Sequence, residues 1–468
     1  MTITKTPLNI PAIVRSRTKD NNITYAFGSI DLESAFKLNI QQESALTLII
    51  NDFVNSNRFQ TFTLNGYAGT GKTSIVNLVE QYLLLTGKSV LFCSPSNKAN
   101  IILKQKTIFS PVITIHRLLN LKPFIPIEDF SLDNIEFIVD EEAKKSPIIY
   151  DYVIVDESSM INDDLYDYLL EAIGSTKVIF MGDSAQIRPV KQDSKSKCLT
   201  ASGLSYQLTM VERTNSEAIL KILTQIRSGK KIVLEDNEDY TITNNPKVFR
   251  DYGIKYFSEL GEDENACRVL CGTNARVKLF NEFYHKKLFP NSTDEFNIGE
   301  PLTSYQGKYE FFTNGMDAII KEIEQIALVI NDIEYKAYKV LLTNSGTITI
   351  ISKDNDFSDI PNYIEKLISE NETLSDYYDF INNHYFPCSI KNSSKKVVIK
   401  KGYDFGYAIT VHKSQGSTYT NVMIDLISFK PFRDNKVFYR EMLYVAFSRC
   451  SNSFIGYTTK AQSRESEK

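Results

Sequence analysis

The chain has 468 residues, 42% of them apolar, with 53 Lys and Arg against 57 Asp and Glu and a pI near 5.8. On a prior of about 100–200 residues per compact unit, this length allows roughly three or four units with real cores. The charge balance excludes coating of nucleic acid by bulk charge, and the lack of a long apolar run or a secretory start in MTITKTPLNI argues for a cytoplasmic setting without membrane contact.

Cys93, Cys198, Cys267, Cys271, Cys388 and Cys450 form no CxxC pair, and the four histidines stand apart from them, so neither a zinc site nor a disulfide framework is indicated. Cys267, Val269 and Cys271 alternate as one core-facing side of a strand.

Residues 1–35 have no strong periodicity and read as an extension without an assignable role. From Phe36 the run FKLNIQQESALTLIINDF has helical spacing and carries Gln42. A glutamine can pair with the N6 and N7 edge of adenine, although an isolated helix glutamine is usually just solvated.

A strand at 61–64 then leads through LNGYAGTGKTS into a helix at 75–85, with Gly66, Gly71, Lys72 and Thr73 in register with the phosphate-loop template. Such a loop brings backbone N–H groups close to phosphate oxygens, Lys72 reaches the terminal phosphates, and Thr73 offers a hydroxyl to magnesium. The nucleotide-binding set is Gln42, Gly66, Ala68, Gly69, Thr70, Gly71, Lys72, Thr73 and Ser74.

Strands at 89–93 and 112–115 lead into SPSNKAN and HRLLNL. The NKAN run is not a guanine-reading signature, because its fourth position lacks aspartate and it lies in the wrong place. In YDYVIVDESSM four β-formers feed Asp156 and Glu157, a pair suited to holding magnesium through water and to deprotonating an attacking water. The strand at 177–181 ends in GDSAQIRPV, placing Gln186 to sense phosphate or water and Arg188 to couple that site outward. After a strand at 205–209, MVERTN supplies Arg213 as a candidate to neutralise phosphoryl charge.

A second half repeats the strand, loop and helix pattern without a phosphate loop: RVLCGTN, YAITVHKSQGSTY, VMIDLI and FYREMLYVAFSRCSNSFIGYTT. Arg449 is its finger candidate, with Gln415 and Gly416 at a strand end expected to face the same cleft.

The ordered set GYAGTGKT, VIVDESSM, GDSAQIRPV, ITVHKSQGSTY and LYVAFSR resembles superfamily 1 helicases of the RecD-like branch, including phage Dda-like helicases, over about 36–457. The resemblance implies an α/β fold: two RecA-like parallel-sheet domains in tandem, with a β-hairpin insertion in the first and an SH3-like β-barrel insertion in the second. It implies ATP-driven 5′ to 3′ movement on single-stranded DNA, with ATP and Mg2+ bound between the two domains. Carried over by position, the catalytic set is Lys72, Asp156, Glu157, Gln186, Arg213 and Arg449, and the metal set is Thr73 and Asp156.

The DNA-contacting set is Pro95, Ser96, Thr114, His116, Phe137, Asn274, Thr410, His412, Lys413 and Gln415. Ser96 and Ser448 stand where the family often has threonine, and both keep the hydroxyl. The implied partners are single-stranded DNA, a duplex fork and a single-stranded-DNA-binding protein or replisome component, for a monomer in the bacterial cytoplasm, that of a phage-infected cell included.

Domain boundaries are expected at 36–120 with 150–210, and at 211–295 with 400–468. Residues 121–149 are expected as a hairpin whose Phe137 stacks on the first base pair, with Phe124, Phe130 and Phe137 as loop anchors in the alternative. Residues 296–399 are expected as the SH3-like clamp, and KNSSKKVVIKK either contacts phosphates or is a solvated loop. A non-motor NTPase leaves the second half unexplained, and a scaffold with a decayed ATPase site conflicts with Lys72, Asp156, Glu157 and Arg449. A superfamily 1 RNA helicase fits nearly as well, since backbone gripping leaves little in the sequence to report the sugar.

Overall fold

The computed structural model describes residues 13–17, 23–34, 37–124, 132, 136–139, 148–190, 192–201, 203–214, 216–230, 240–306, 311–344, 346–370 and 375–459. Phe130 of the expected hairpin lies outside them, as does the side chain of Phe124. The chain divides into two compact units, one of residues 1–121 and 139–220, the other of 122–138 and 221–468.

The first unit is built on six parallel strands: β1 (Thr61–Gly66), β2 (Val90–Ser94), β3 (Val112–Thr114), β4 (Tyr152–Val155), β5 (Lys177–Gly182) and β6 (Leu204–Leu208). Their order is β6-β1-β5-β4-β2-β3. All pairings are parallel, with Asn65 beside Gly182 and Gly66 beside Leu208. The central strands β2 and β4 are buried at every position, as expected of a sheet covered on both faces. Phe62, Leu64, Phe92, Ile154 and Ile179 face one core, together with α1 (Ile40–Leu48) and α2 (Lys72–Leu85). Leu91, Cys93, Val153, Val155 and Phe180 face the other.

Within the N-terminal extension the described residues form strands. Ile13–Arg17, Ile23–Phe27 and Ile30–Ser34 form a three-stranded antiparallel sheet. Tyr25 and Leu32 oppose each other across two of its strands and are fully buried in the α1 and α2 core. Strands this short carry too few alternations to register as a period.

The second unit holds five strands, β7 (Tyr240–Thr243), β8 (Cys267–Cys271), β9 (Ala408–Thr410), β10 (Tyr419–Asp425) and β11 (Cys450–Tyr457), in the order β7-β11-β10-β8-β9. All its pairings are parallel as well. Cys267, Val269 and Cys271 do share one core with Phe249, Phe280 and Tyr284, as their alternation predicts. A second, six-stranded sheet carries Asp317–Ile330 and Ile333–Leu342 as a long antiparallel hairpin. Its turn places Asn331 and Asp332 at positive φ, as a primed two-residue turn requires.

The boundaries differ from those read in the sequence. Leu121–Phe124 and Glu136–Val139 pair as a two-stranded sheet, but Leu132 between them is buried with Ile330, Tyr335, Ile351 and Ile360. That packing joins the segment to the second unit rather than the first. Residues 211–220 join the first unit, because the Glu212 N–H donates to the Gly69 carbonyl at 2.7 Å.

Candidate nucleotide site and nucleic-acid interface

Because the first unit's six strands are parallel, the residues that follow their carboxyl ends gather along one sheet edge. The phosphate loop follows β1, and α2 opens at Lys72 with Thr73 and Ser74 in its first turn. Gly69 and Gly71 have φ of +80° and +77°. A side chain at Gly71 would collide with Gln42, and one at Gly69 with Arg213, so the loop admits only glycine there. Ala68 and Thr70 are buried in the loop, with the Thr70 hydroxyl donating to the Tyr67 carbonyl at 2.8 Å.

Lys72 Nζ donates to the carbonyls of Gly66 at 2.6 Å and Tyr67 at 3.2 Å. Burial pushes its ammonium pKa down, while Asp183, Glu157 and Asp156 pull it back up. Asp156 and Glu157 follow β4. Burial raises the Asp156 carboxyl pKa against a 2.8 Å hydrogen bond from the Glu157 N–H. Glu157 itself sits at φ +49°, in the left-handed region that a non-glycine residue enters only under constraint. Gln186 follows β5 and is buried, its N–H donating to the Asp183 carbonyl at 3.0 Å.

Gln42 is also buried, and its carboxamide is used by the chain. Oε1 accepts the Asn39 N–H at 2.9 Å and Nε2 donates to the Thr70 carbonyl at 3.1 Å. Each atom retains one further valence, the acceptor and donor that an adenine edge needs. Thr73 and Asp156 supply the hard oxygen donors that would hold magnesium, and the buried, carboxylate-rich setting beside Lys72 fits such an ion.

The expected nucleic-acid residues lie on both sheets. Ser96 follows β2 and caps the helix Asn97–Lys104, its Oγ accepting the Ala99 N–H at 3.2 Å, with Pro95 just before it. Thr114 ends β3 and accepts the Arg117 N–H at 3.2 Å, and burial lowers the pKa of neighbouring His116. In the second unit Cys271 and Thr410 are paired neighbours, so Asn274, which opens the helix Asn274–Leu288, lies at the same sheet edge as Thr410. Thr410 Oγ1 accepts the Lys413 N–H at 3.4 Å. In all three cases the hydroxyl accepts from backbone, leaving its hydrogen to donate.

His412 packs 5.7 Å from the Phe438 ring, and Lys413 Nζ lies 3.2 Å from the Tyr305 ring centroid. Gln415 follows in the connection to β10, its N–H donating to the His412 carbonyl at 3.3 Å. Phe137 is 52% exposed on its strand.

Arg449 occupies the opposite, amino edge of its sheet, where Tyr419 pairs with Cys450. It is buried, with Nη2 donating to Ser448 Oγ at 2.8 Å and Nη1 to the Ser417 carbonyl at 3.1 Å. The hydroxyl that serine retains at position 448 is therefore one of the groups that hold the arginine, with the Ser417 and Val445 carbonyls.

Two family models match, an AAA domain over residues 37–242 and a UvrD-like helicase C-terminal domain over 405–453. The ATP-dependent DNA helicase dda of Enterobacteria phage T4 is 30% identical over 263 residues, covering 53% of this chain and 57% of its own. The RecBCD enzyme subunit RecD of Buchnera aphidicola is 23% identical over 498 residues, covering 92% of this chain and 74% of its own. Together these likenesses support a superfamily 1B helicase. A Pif1 helicase solved in a study of forked-DNA unwinding shares the fold with a TM-score of 0.51 at 20% identity, covering 92% of this chain and 94% of that one.

Two groups beside Lys72 are not among the site residues read from the sequence. Asp183 is buried and is the foremost of the charges acting on the lysine. The aspartate that follows β5 in GDSAQ was its signal. Asn65 at the end of β1 exchanges hydrogen bonds with Ser184, both at 3.0 Å, tying the phosphate-loop strand to the Asp183 loop. Nothing in the sequence marks Asn65, since an asparagine ending a strand is ordinarily a turn residue.

Proposed function

We propose that this chain is an ATP-dependent DNA helicase that steps 5′ to 3′ along single-stranded DNA and separates the duplex ahead of it. The observation that carries this reading is the convergence of Lys72, Asp156, Glu157, Asp183 and Gln186 on one sheet edge, with Glu157 held at positive φ. A carboxylate kept in a disfavoured conformation beside a second carboxylate and a lysine is what aiming a general base demands.

In this mechanism the loop N–H groups and Lys72 bind the phosphates, and Gln42 receives adenine on its remaining donor and acceptor. Magnesium, held by Thr73 and Asp156, would neutralise phosphate charge. Glu157 takes the proton of the attacking water, Gln186 orients that water, and Arg213 counters the charge that develops on the transferred group. Arg449 is the second unit's candidate for the same task.

The strand is gripped by hydroxyls and N–H groups at the ends of β2, β3 and β9, with Lys413 and His412 adding contacts. These groups suit phosphate and sugar rather than base edges, so binding should ignore sequence. Phe137 supplies an exposed ring for the junction of strands.

Steady-state ATPase with and without single-stranded DNA, on the wild type and Lys72→Ala, tests this. Stimulation by DNA that is lost in the variant supports the motor, and tailed duplexes then read direction. Turnover indifferent to nucleic acid overturns it, and stimulation by single-stranded RNA alone changes the substrate.

A further inference from the structure

Helix α1 does more at its first turn than present Gln42. Asn39 Oδ1 accepts the N–H groups of Gln41 at 2.9 Å and Gln42 at 3.0 Å, fixing the turn. Gln41 then reaches a segment 168 residues further along the chain. Its Oε1 accepts two successive backbone N–H groups, Thr209 at 2.8 Å and Met210 at 3.0 Å, and its Nε2 donates to Thr209 Oγ1 at 2.9 Å. Asn39 Nδ2 donates to Glu212 Oε1 at 2.5 Å.

The segment so held runs directly into Arg213. Glu212 N–H bonds Gly69, and the Arg213 Cβ lies so close to Gly69 that no side chain fits there. One turn of helix therefore touches the phosphate loop through Gln42 and the arginine segment through Gln41 and Asn39. From the other side the Tyr25 hydroxyl accepts the Leu38 N–H at 2.6 Å, so the N-terminal sheet fixes the entry to the same turn.

We infer that Gln41 is a positioning residue for hydrolysis: it sets the place of Arg213 over the phosphate loop and links it to the turn that carries Gln42. The inference rests on the reading of Arg213 as a phosphate-facing arginine. One carboxamide oxygen shared by two consecutive N–H groups, with the amide NH2 on the Thr209 hydroxyl, fixes a backbone in direction as well as distance, which a single contact does not. Gln42 and Gln41 thereby divide the work. Gln42 bears on which nucleotide binds, and Gln41 on how fast it is cleaved.

The test separates the two. In Gln41→Ala, amide exchange at Thr209 and Met210 should rise about tenfold, and the DNA-stimulated kcat should fall about tenfold with KM for ATP within about twofold. Gln41→Glu keeps an oxygen where Oε1 accepts both N–H groups and replaces the Nε2 donor by a second oxygen that the Thr209 hydroxyl can donate to, so it should recover most of both. In an Arg213→Ala background, Gln41→Ala should cost nothing further in kcat.

Unchanged exchange in a folded Gln41→Ala variant overturns the tether. Raised exchange with unchanged kcat, or a loss that multiplies with that of Arg213→Ala, overturns the link to hydrolysis. The exchange arm needs no turnover, so a failure of the tether is told apart from a wild type that lacks DNA-stimulated ATPase altogether, which would sink the helicase reading instead.

Discussion

The Lys72 ammonium lies 2.6 Å from the Gly66 carbonyl, so the phosphate-binding charge is held by the loop that it serves. Lys72→Ala should reduce hydrolysis by at least about a hundredfold, as expected for loss of a group that stabilises transferred charge. Its fold should survive, since the lysine donates to the loop carbonyls of Gly66 and Tyr67. Steady-state ATPase together with a melting curve checks both halves.

Glu157 is strained as well as charged. Glu157→Gln should abolish turnover while keeping nucleotide affinity, because the amide cannot take a proton from water. Glu157→Gly should also be inactive yet more stable by about 1 kcal/mol, since glycine adopts positive φ without a steric penalty. Denaturant unfolding of the two variants separates the conformational strain from the chemistry, and a Glu157→Gly variant less stable than wild type would contradict it.

Ser448 and Arg449 act as a pair. Ser448→Ala strips the buried guanidinium of an acceptor bonded by both Nη2 and Nε, and should cost about 1–2 kcal/mol together with a fall in kcat. Ser448→Thr should be close to silent because it keeps the hydroxyl. Equal effects of the two substitutions would sever the arginine from the hydroxyl.

Leu132 and Phe137 belong to one inserted segment and should answer differently. Leu132 is 5% exposed in a core of the second unit, so Leu132→Ala should destabilise by about 2–5 kcal/mol. Phe137 is 52% exposed, so Phe137→Ala should leave stability unchanged and lower unwinding while DNA-stimulated ATPase persists. Unwinding unaffected by Phe137→Ala would remove the ring from the strand junction.

Lys413 gives the pH dependence. Burial holds its ammonium down to about 8, with Asp404 and Asp317 opposing that drop and Lys401 adding to it. It is charged below that value and loses charge above it, so single-stranded DNA affinity should weaken as pH rises through 8. Lys413→Arg should flatten the profile, because guanidinium stays protonated. The folding balance runs the other way: between about 8 and 10.5 the unfolded chain binds more protons, so this group's contribution to stability rises with pH. Fluorescence anisotropy across the range, at fixed salt, reads the binding.

What the sequence settled by itself is the chemistry that neighbours carry. The phosphate loop, the acidic pair and the strands that end in them are local patterns in which turn glycines, β-formers and charged residues lie within a dozen positions of one another. The parallel sheet then places those strand ends along one edge, so a motif reading also finds the site.

The tertiary structure alone decided what those patterns touch. Gln41 and Gln42 are adjacent and look alike in sequence, yet one clasps Thr209 and Met210 while the other meets the phosphate loop. Leu132 is one apolar residue in a short insertion until it enters a core built mostly of residues 330–399. Short strands near the N-terminus become part of the first unit's core through Tyr25 and Leu32, with Ile23, Phe27 and Ile30 packed against it. Each of these depends on partners brought together by burial and strand pairing, and those forces act in space rather than along the chain.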